Sequence, residues 1–238
     1  MTDFRVVRLN SVDSTNAEAW RRAGRPAEAN LVVWARQQEQ GRGRHGRGWV
    51  SPPGNLYASV VRPRIGDAHP ALEVFRAGIC LVEAVLEVTG SMVTARLKWP
   101  NDLVVGGRKV AGILAETVPE RAAAVVGTGV NLVSHPDATS LPATDLAREG
   151  APRVSPARLL AAYLGRLAAR AAHGPDRILE RWRALALPAG TPFRVRISDT
   201  EVQGAFAGVD DAGALLLDLA DGERRRIIAG DAFPEMDG

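Results

Sequence analysis

The sequence has 238 residues, 46% of them hydrophobic and 24% charged, the balance of a globular chain with one large domain or one domain and a small appendage. No run reaches the ~20 apolar residues of a membrane helix, and the opening Met1-Thr2-Asp3-Phe4-Arg5 lacks a secretory apolar core. The net charge of +3 is too small to argue for nucleic acid by itself, and the single cysteine, Cys80, excludes an intrachain disulfide and fits a reducing cytoplasm.

In chain order, Arg5 to Leu9 reads as a strand, and Asp13-Ser14-Thr15-Asn16-Ala17-Glu18 opens a helix, with Thr15 and Glu18 spaced as a capping box. Asn30 to Ala35 is a second strand. Gly41 to Gly48 is a loop, and Leu56 to Val61 returns to strand. From His69 to Thr89, Leu72, Phe75, Ile79, Val82, Val85 and Leu86 recur at helical spacing. Leu103 to Val105 and Lys109 to Ala115 form a hairpin around Gly106-Gly107. Ala123 to Val133 is a strand broken by Gly127 and Gly129. Helices follow at Arg158 to Ala172 and Arg177 to Leu185. After Pro188-Ala189-Gly190 come short strands at Phe193–Ile197, Val202–Val209, Ala214–Leu219 and Arg225–Ile228. Strands and helices mix without βαβ alternation. The expected fold is α+β, a mixed-sheet domain over residues 1–187 followed by a small β-barrel over 188–238.

Of thirty basic residues, only Lys98 and Lys109 are lysine. Arginine is a planar fork, whereas lysine is a compact charge on a flexible stem that fits where a fork does not. Both lysines lie in one stretch, so a phosphate or carboxylate is the expected guest there. A regular hairpin pairs Val104 with Lys109, Leu103 with Val110 and Asp102 with Ala111. Asp102 and Lys109 then share a face, ~7–8 Å apart on a diagonal, either around a ligand or as a surface ion pair. Gly112 within a strand marks a close approach to the backbone.

Gly41-Arg42-Gly43-Arg44-His45-Gly46-Arg47-Gly48-Trp49 is the loudest local signal. Its glycines expose backbone N–H groups and its arginines add fixed charge, which suits a polyphosphate. It lacks the Gly-Lys-hydroxyl ending of a Walker loop, and an RNA-binding Gly/Arg segment with a stacking Trp49 is the alternative. Gly127-Thr128-Gly129-Val130-Asn131 is half a nucleotide fingerprint or a bulged strand. His45, His69, His135 and His173 have no metal-ligand spacing.

Asp13-Ser14-Thr15-Asn16, Gln38 before the Gly/Arg loop, Lys98-Trp99-Pro100-Asn101-Asp102, Lys109-Val110-Ala111-Gly112-Ile113-Leu114 and Gly127-Thr128-Gly129-Val130-Asn131 occur in the order of the biotin protein ligases. The chain closely resembles that family over nearly its whole length. The resemblance implies a mixed α/β catalytic domain with an SH3-like C-terminal barrel. It also implies a ligase that makes biotinyl-5′-AMP from biotin and MgATP, then transfers biotin to a lysine of the biotin carboxyl carrier domain of an acetyl-CoA carboxylase or similar enzyme. On this resemblance Ser14, Thr15, Asn16, Gln38 and Gly112 line the biotin pocket, with Trp49 beside the biotin tail. Arg42, Gly43, Arg44 and Arg47 close over biotin and the adenylate. Lys109 contacts biotin carboxylate and α-phosphate, Asn101 and Asp102 help place Mg²⁺, ATP or the incoming amine, and Lys98 binds ATP or the adenylate. Gly129 and Asn131 pass the adenylate side. Lys109, Arg44 and Asp102 are the catalytic candidates, and no residue is assigned to the metal.

Bifunctional relatives carry an N-terminal DNA-binding domain. Here the first motif begins at Asp13, so the expectation is a cytoplasmic enzyme, monomer or weak homodimer, without sequence-specific DNA binding or membrane attachment. Gly230-Asp231 is not followed by the arginine some relatives place there, so no ATP contact is expected from the barrel. A lipoate- or octanoyl-transferring relative and a nucleic-acid-binding module are the rival readings.

Overall fold

The structure is a computed structural model that describes residues 3–24, 28–63, 70–118, 123–137, 139, 141–152 and 154–235. β1 (Arg5–Val12), β2 (Leu31–Gln38), β3 (Leu56–Pro63), β4 (Arg96–Lys98), β5 (Asp102–Val105), β6 (Arg108–Val118) and β7 (Ala123–Val130) form one sheet, ordered β1-β2-β3-β7-β6-β5-β4. β1 and β2 run parallel and the other neighbours antiparallel. The inner strands are buried on both faces, whereas the edge strand β1 is largely exposed. In β2, Leu31 and Val33 point to α1 (Thr15–Arg22), joined by Ala19, Ala23, Val61 and Val125, while Val32 points into the main core. That core lies under α2 (Pro70–Thr89), α3 (Pro156–Ala169) and α4 (Pro175–Leu185), where Phe75 of α2 stacks on Trp182 of α4 with centroids 4.6 Å apart. The expected start of α2 at His69 lies outside the described residues.

The C-terminal segment folds as β8 (Pro192–Ile197), β9 (Thr200–Val209), β10 (Leu215–Asp218), β11 (Arg224–Ile227) and β12 (Asp231–Pro234), antiparallel in the order β11-β10-β9-β8-β12. The described residues show the expected barrel as a five-stranded sheet in open order. Its apolar face, with Phe193 stacked on Phe206, is continuous with the main core. The Trp99 indole also donates to Gly213 O at 3.1 Å, so this sheet is tied to the turn that carries the lysine motif.

Three local expectations are corrected. The Thr15–Glu18 capping box is not made. Ser14 is the N-cap, Thr15 is already helical, and the Glu18 carboxylate is taken by Arg21 and Arg22. The hairpin turns at Gly106 and Gly107 with φ of 52° and 75°, as a two-residue loop requires, but a bulge shifts the register after Val104–Lys109. Leu103 pairs with Ala111 rather than Val110, and Asp102 with Gly112 rather than Ala111. β7 is unbroken at Gly127 and Gly129, whose missing side chains make room for neighbours instead. β4 and β12 were not anticipated, because each is short and held by its partner strand.

Candidate active site

One cavity of about 430 Å³ opens where α1 begins, β2 ends, the β4–β5 turn and β6 meet, and β12 arrives from the second sheet. Its wall includes every residue assigned to the site on the family resemblance: Ser14, Thr15, Asn16, Gln38, Arg42, Gly43, Arg44, Arg47, Trp49, Lys98, Asn101, Asp102, Lys109, Gly112, Gly129 and Asn131.

The floor at one end is polar. Ser14 leads into α1, but its side chain does not turn back to cap the helix. Thr15 N–H donates to Gln38 Oε1 at 2.8 Å, and Gln38 Nε2 donates to Ser51 Oγ at 2.9 Å. Asn16 is buried and donates from Nδ2 to Glu116 Oε2 at 2.6 Å. A Cβ at Gly127 would collide with the Asn16 amide, which accounts for that glycine.

The middle of the cavity is charged. Asp102 sits between two ammonium groups, with Lys98 Nζ donating to Oδ2 at 2.8 Å and Lys109 Nζ 2.6 Å from Oδ1. The second approach is ionic rather than a directed hydrogen bond. Burial pushes the Asp102 carboxyl up, but the two lysines outweigh it and hold the group below the ordinary carboxylate range. Burial pushes Lys98 down against the pull of Asp102. Lys109 is the more exposed of the pair, with its Nζ 5.3 Å from the centre of the Trp49 ring. Trp49 lies on a shelf of glycine: a Cβ at Gly129 would come within 2.5 Å of the indole, and one at Gly112 within 3.0 Å. Its Nε1–H is buried without a hydrogen-bond partner among the described residues. Asn101 and Asn131 spend their amide N–H groups on Ile113 O and Thr144 O and so brace the wall.

The Gly/Arg loop is a narrow hairpin closed at its base by Trp49 N–H to Gly41 O at 2.8 Å and Gly43 N–H to Arg47 O at 2.7 Å. His45 takes a left-handed φ of 54° at its tip. Arg42 reaches Glu116 at 3.7 Å, and Arg47 pairs with Asp231 of β12. Arg44 donates to Gly230 O at 3.2 Å and lies 3.8 Å from Asp231. Burial lowers its pKa, against the attraction of Asp231 and Asp102. Asp231, Ala232 and Phe233 thus complete the wall from the second sheet, just after Gly230, where the missing arginine led to the expectation of no contact from the barrel. Glu116 and Ser59 were missed as well. Glu116 lies one residue past the expected strand end at Ala115, and Ser59 is an unremarked polar residue in an apolar strand.

The model of the biotin/lipoate A/B protein ligase family matches residues 9–132, and that of the biotin protein ligase C terminal domain matches residues 190–233. The biotin–[acetyl-CoA-carboxylase] ligase of Paracoccus denitrificans is 38% identical over 222 residues, covering 88% of this chain and 92% of its own. This chain belongs to the biotin/lipoate A/B protein ligase family. The bifunctional ligase/repressor BirA of Bacillus subtilis is 29% identical, and the match covers 90% of this chain and 69% of that protein. Among solved family structures, the biotin protein ligase of Aquifex aeolicus in complex with biotin and ATP superposes with a TM-score of 0.83 at 24% identity, covering 98% and 99% of the two chains, and supports the fold. The Leishmania major enzyme in complex with biotinyl-5-AMP gives a TM-score of 0.66 at 25% identity over 94% and 98%. No helix among the described residues of this family member is long and apolar enough to cross a membrane.

Proposed function

We propose that the chain is an ATP-dependent biotin protein ligase. It activates biotin to biotinyl-5′-AMP and transfers it to a lysine of a biotin carboxyl carrier domain. One observation carries this reading: a polar floor, a lysine–aspartate centre and an arginine loop line a single cavity. The Leishmania major relative, solved with biotinyl-5-AMP, supports the same ligand. The polar floor of Ser14, Thr15, Asn16 and Gln38 suits a ureido ring, and the Trp49 shelf with Gly112 suits an acyl tail. In the first step a biotin carboxylate oxygen attacks the α-phosphorus of ATP and pyrophosphate leaves. Lys109 offsets the repulsion between two anions at that point, and Arg42, Arg44 and Arg47 draw the phosphates in. In the second step the carrier amine attacks the acyl carbon and AMP leaves. Lys98 holds Asp102, and Asp102 aims Lys109. Gly129 and Asn131 border the adenylate.

Mg²⁺ would arrive on the triphosphate. Among the described residues no three His, Cys, Asp or Glu side chains gather to hold a metal, and Asp102 is already bracketed by cations. No residue is assigned to the ion.

The proposed division is a catalytic unit over 1–187 and a C-terminal unit over 188–238. We place the enzyme in the cytoplasm, where ATP and reduced thiols are found, as a monomer or weak homodimer. Arg5 and Arg8 on the edge strand β1 discourage edge-to-edge pairing. Calorimetry with biotin, with and without ATP, and pyrophosphate release test the reading. Biotin should bind and drive release, while lipoate and octanoate should not. Equal release with lipoate would overturn it.

A further inference from the structure

Glu116, its side chain 33% exposed, ends a row of polar groups that runs inward through the buried Asn16, Ser59 and Thr15, and hydrogen-bond counting fixes the direction of that row. Asn16 Nδ2 approaches Leu114 O at 3.4 Å and Glu116 Oε2 at 2.6 Å, and both of these accept only. The amide therefore has one orientation, and its Oδ1 must accept. The group 2.6 Å from Oδ1 is Ser59 Oγ, which has a single hydrogen and must give it to Asn16. Ser59 Oγ also lies 2.7 Å from Thr15 Oγ1, so this contact is satisfied only when Thr15 donates to Ser59. The Thr15 hydroxyl hydrogen is then withdrawn from the cavity. It is not available to Gln38 Oε1, 3.0 Å away, which already accepts from Thr15 N–H. Gln38 is oriented from its other side by Ser51 Oγ, which itself donates to Trp49 O at 2.8 Å. The result is a floor on which Thr15 Oγ1 and Gln38 Oε1 both present lone pairs.

We infer that Glu116 is a positioning residue for substrate selection. Through Asn16 and Ser59 it sets Thr15 and Gln38 as paired acceptors for ring N–H groups. This rests on the biotin reading above and deepens it. Biotin has two ureido N–H donors, whereas a lipoyl or octanoyl chain has none. A pair of buried acceptors left without donors disfavours the wrong acid more than a merely apolar pocket would. When the row is interrupted, the Thr15 hydroxyl is free to turn its hydrogen onto Gln38 Oε1, and the acceptor pair is lost.

The test compares two non-hydrolysable probes, biotinyl- and octanoyl-sulfamoyl adenosine, by calorimetry on the full chain. They share the adenosine end, so both report affinity without turnover. In Glu116→Leu, which removes the acceptor for Asn16, and independently in Ser59→Ala, which leaves Arg42 and its ion pair untouched, the biotinyl probe should weaken about tenfold. The octanoyl probe should change less than about twofold, since only one class of hydrogen bond to the ring is removed. Equal weakening of both probes would make Glu116 merely structural and overturn the inference, as would no change in either variant. If the wild-type chain itself fails to prefer the biotinyl probe, the biotin reading falls and this inference falls with it. The variants then need not be compared.

Discussion

Replacing Arg44 by Gly should turn the enzyme into a source of free acyl-adenylate that marks other proteins and spares itself. The Arg44 side chain is only 24% exposed and projects from the loop into the cavity wall, within 3.2 Å of Gly230 O and 3.8 Å of Asp231. A phosphate drawn to that position would gain one charge-assisted hydrogen bond, of about 1.5–3 kcal/mol. Its loss corresponds to roughly ten- to hundredfold weaker retention of biotinyl-5′-AMP. Released adenylate acylates whatever amines it meets. This chain offers only Lys98, Lys109 and its α-amine. Lys98 is buried against Asp102, and Lys109 is held 2.6 Å from the same carboxylate. The assay is a streptavidin blot of the variant incubated with biotin, MgATP and an equal concentration of a lysine-rich bystander. The bystander band should be strong and the enzyme band faint. Comparable labelling of the two would refute the reasoning about shielded amines, and labelling confined to a carrier domain would refute the retention role of Arg44.

Lys109→Arg should cut pyrophosphate release at least ~10-fold, because a planar fork does not fit between Asp102, Trp49 and Gly112 where a point charge does. Gly129→Ala should displace Trp49, whose indole would lie within 2.5 Å of the new methyl; the overpacking cost of ~1–3 kcal/mol is read as a lower Tm and a shifted tryptophan emission. The chain should bind DNA only weakly and without sequence preference, with affinity falling steeply as salt rises in fluorescence anisotropy. The Asp13 carboxyl is held at about 2 by the hydrogen bonds from Arg21. A depressed folded-state pKa stabilises above the unfolded value of ~3.9 and loses that contribution as pH falls through ~3.9 toward 2, so Arg21→Ala should move the Asp13 midpoint in an NMR titration up toward ~3.9.

What the sequence revealed and what it concealed differ by the range of the interaction. Residues that carry chemistry are unusual for their surroundings: two lysines among arginines, glycines inside strands, a Gly/Arg loop. Such anomalies stay visible without a structure, which is why the whole set of site residues reappears around one cavity. The capping box failed because local spacing cannot say that Arg21 and Arg22 compete for Glu18. The register after Val104 failed because one extra residue in a strand leaves no mark in an alternation pattern read over four pairs. The wall formed by Asp231 to Phe233 was hidden for a stronger reason. It depends on the second sheet being pinned to the first by contacts such as Trp99 to Gly213, more than a hundred residues apart. The same holds for Glu116 and Ser59. Each looks like an ordinary strand residue, and only the meeting of α1, β3 and β6 turns them into a directed row of donors and acceptors. A site read from motifs therefore finds the groups that face the substrate and overlooks those that decide which way these groups point. In this fold the second kind sits one hydrogen bond behind the first, and substitutions there should change selectivity before they abolish turnover.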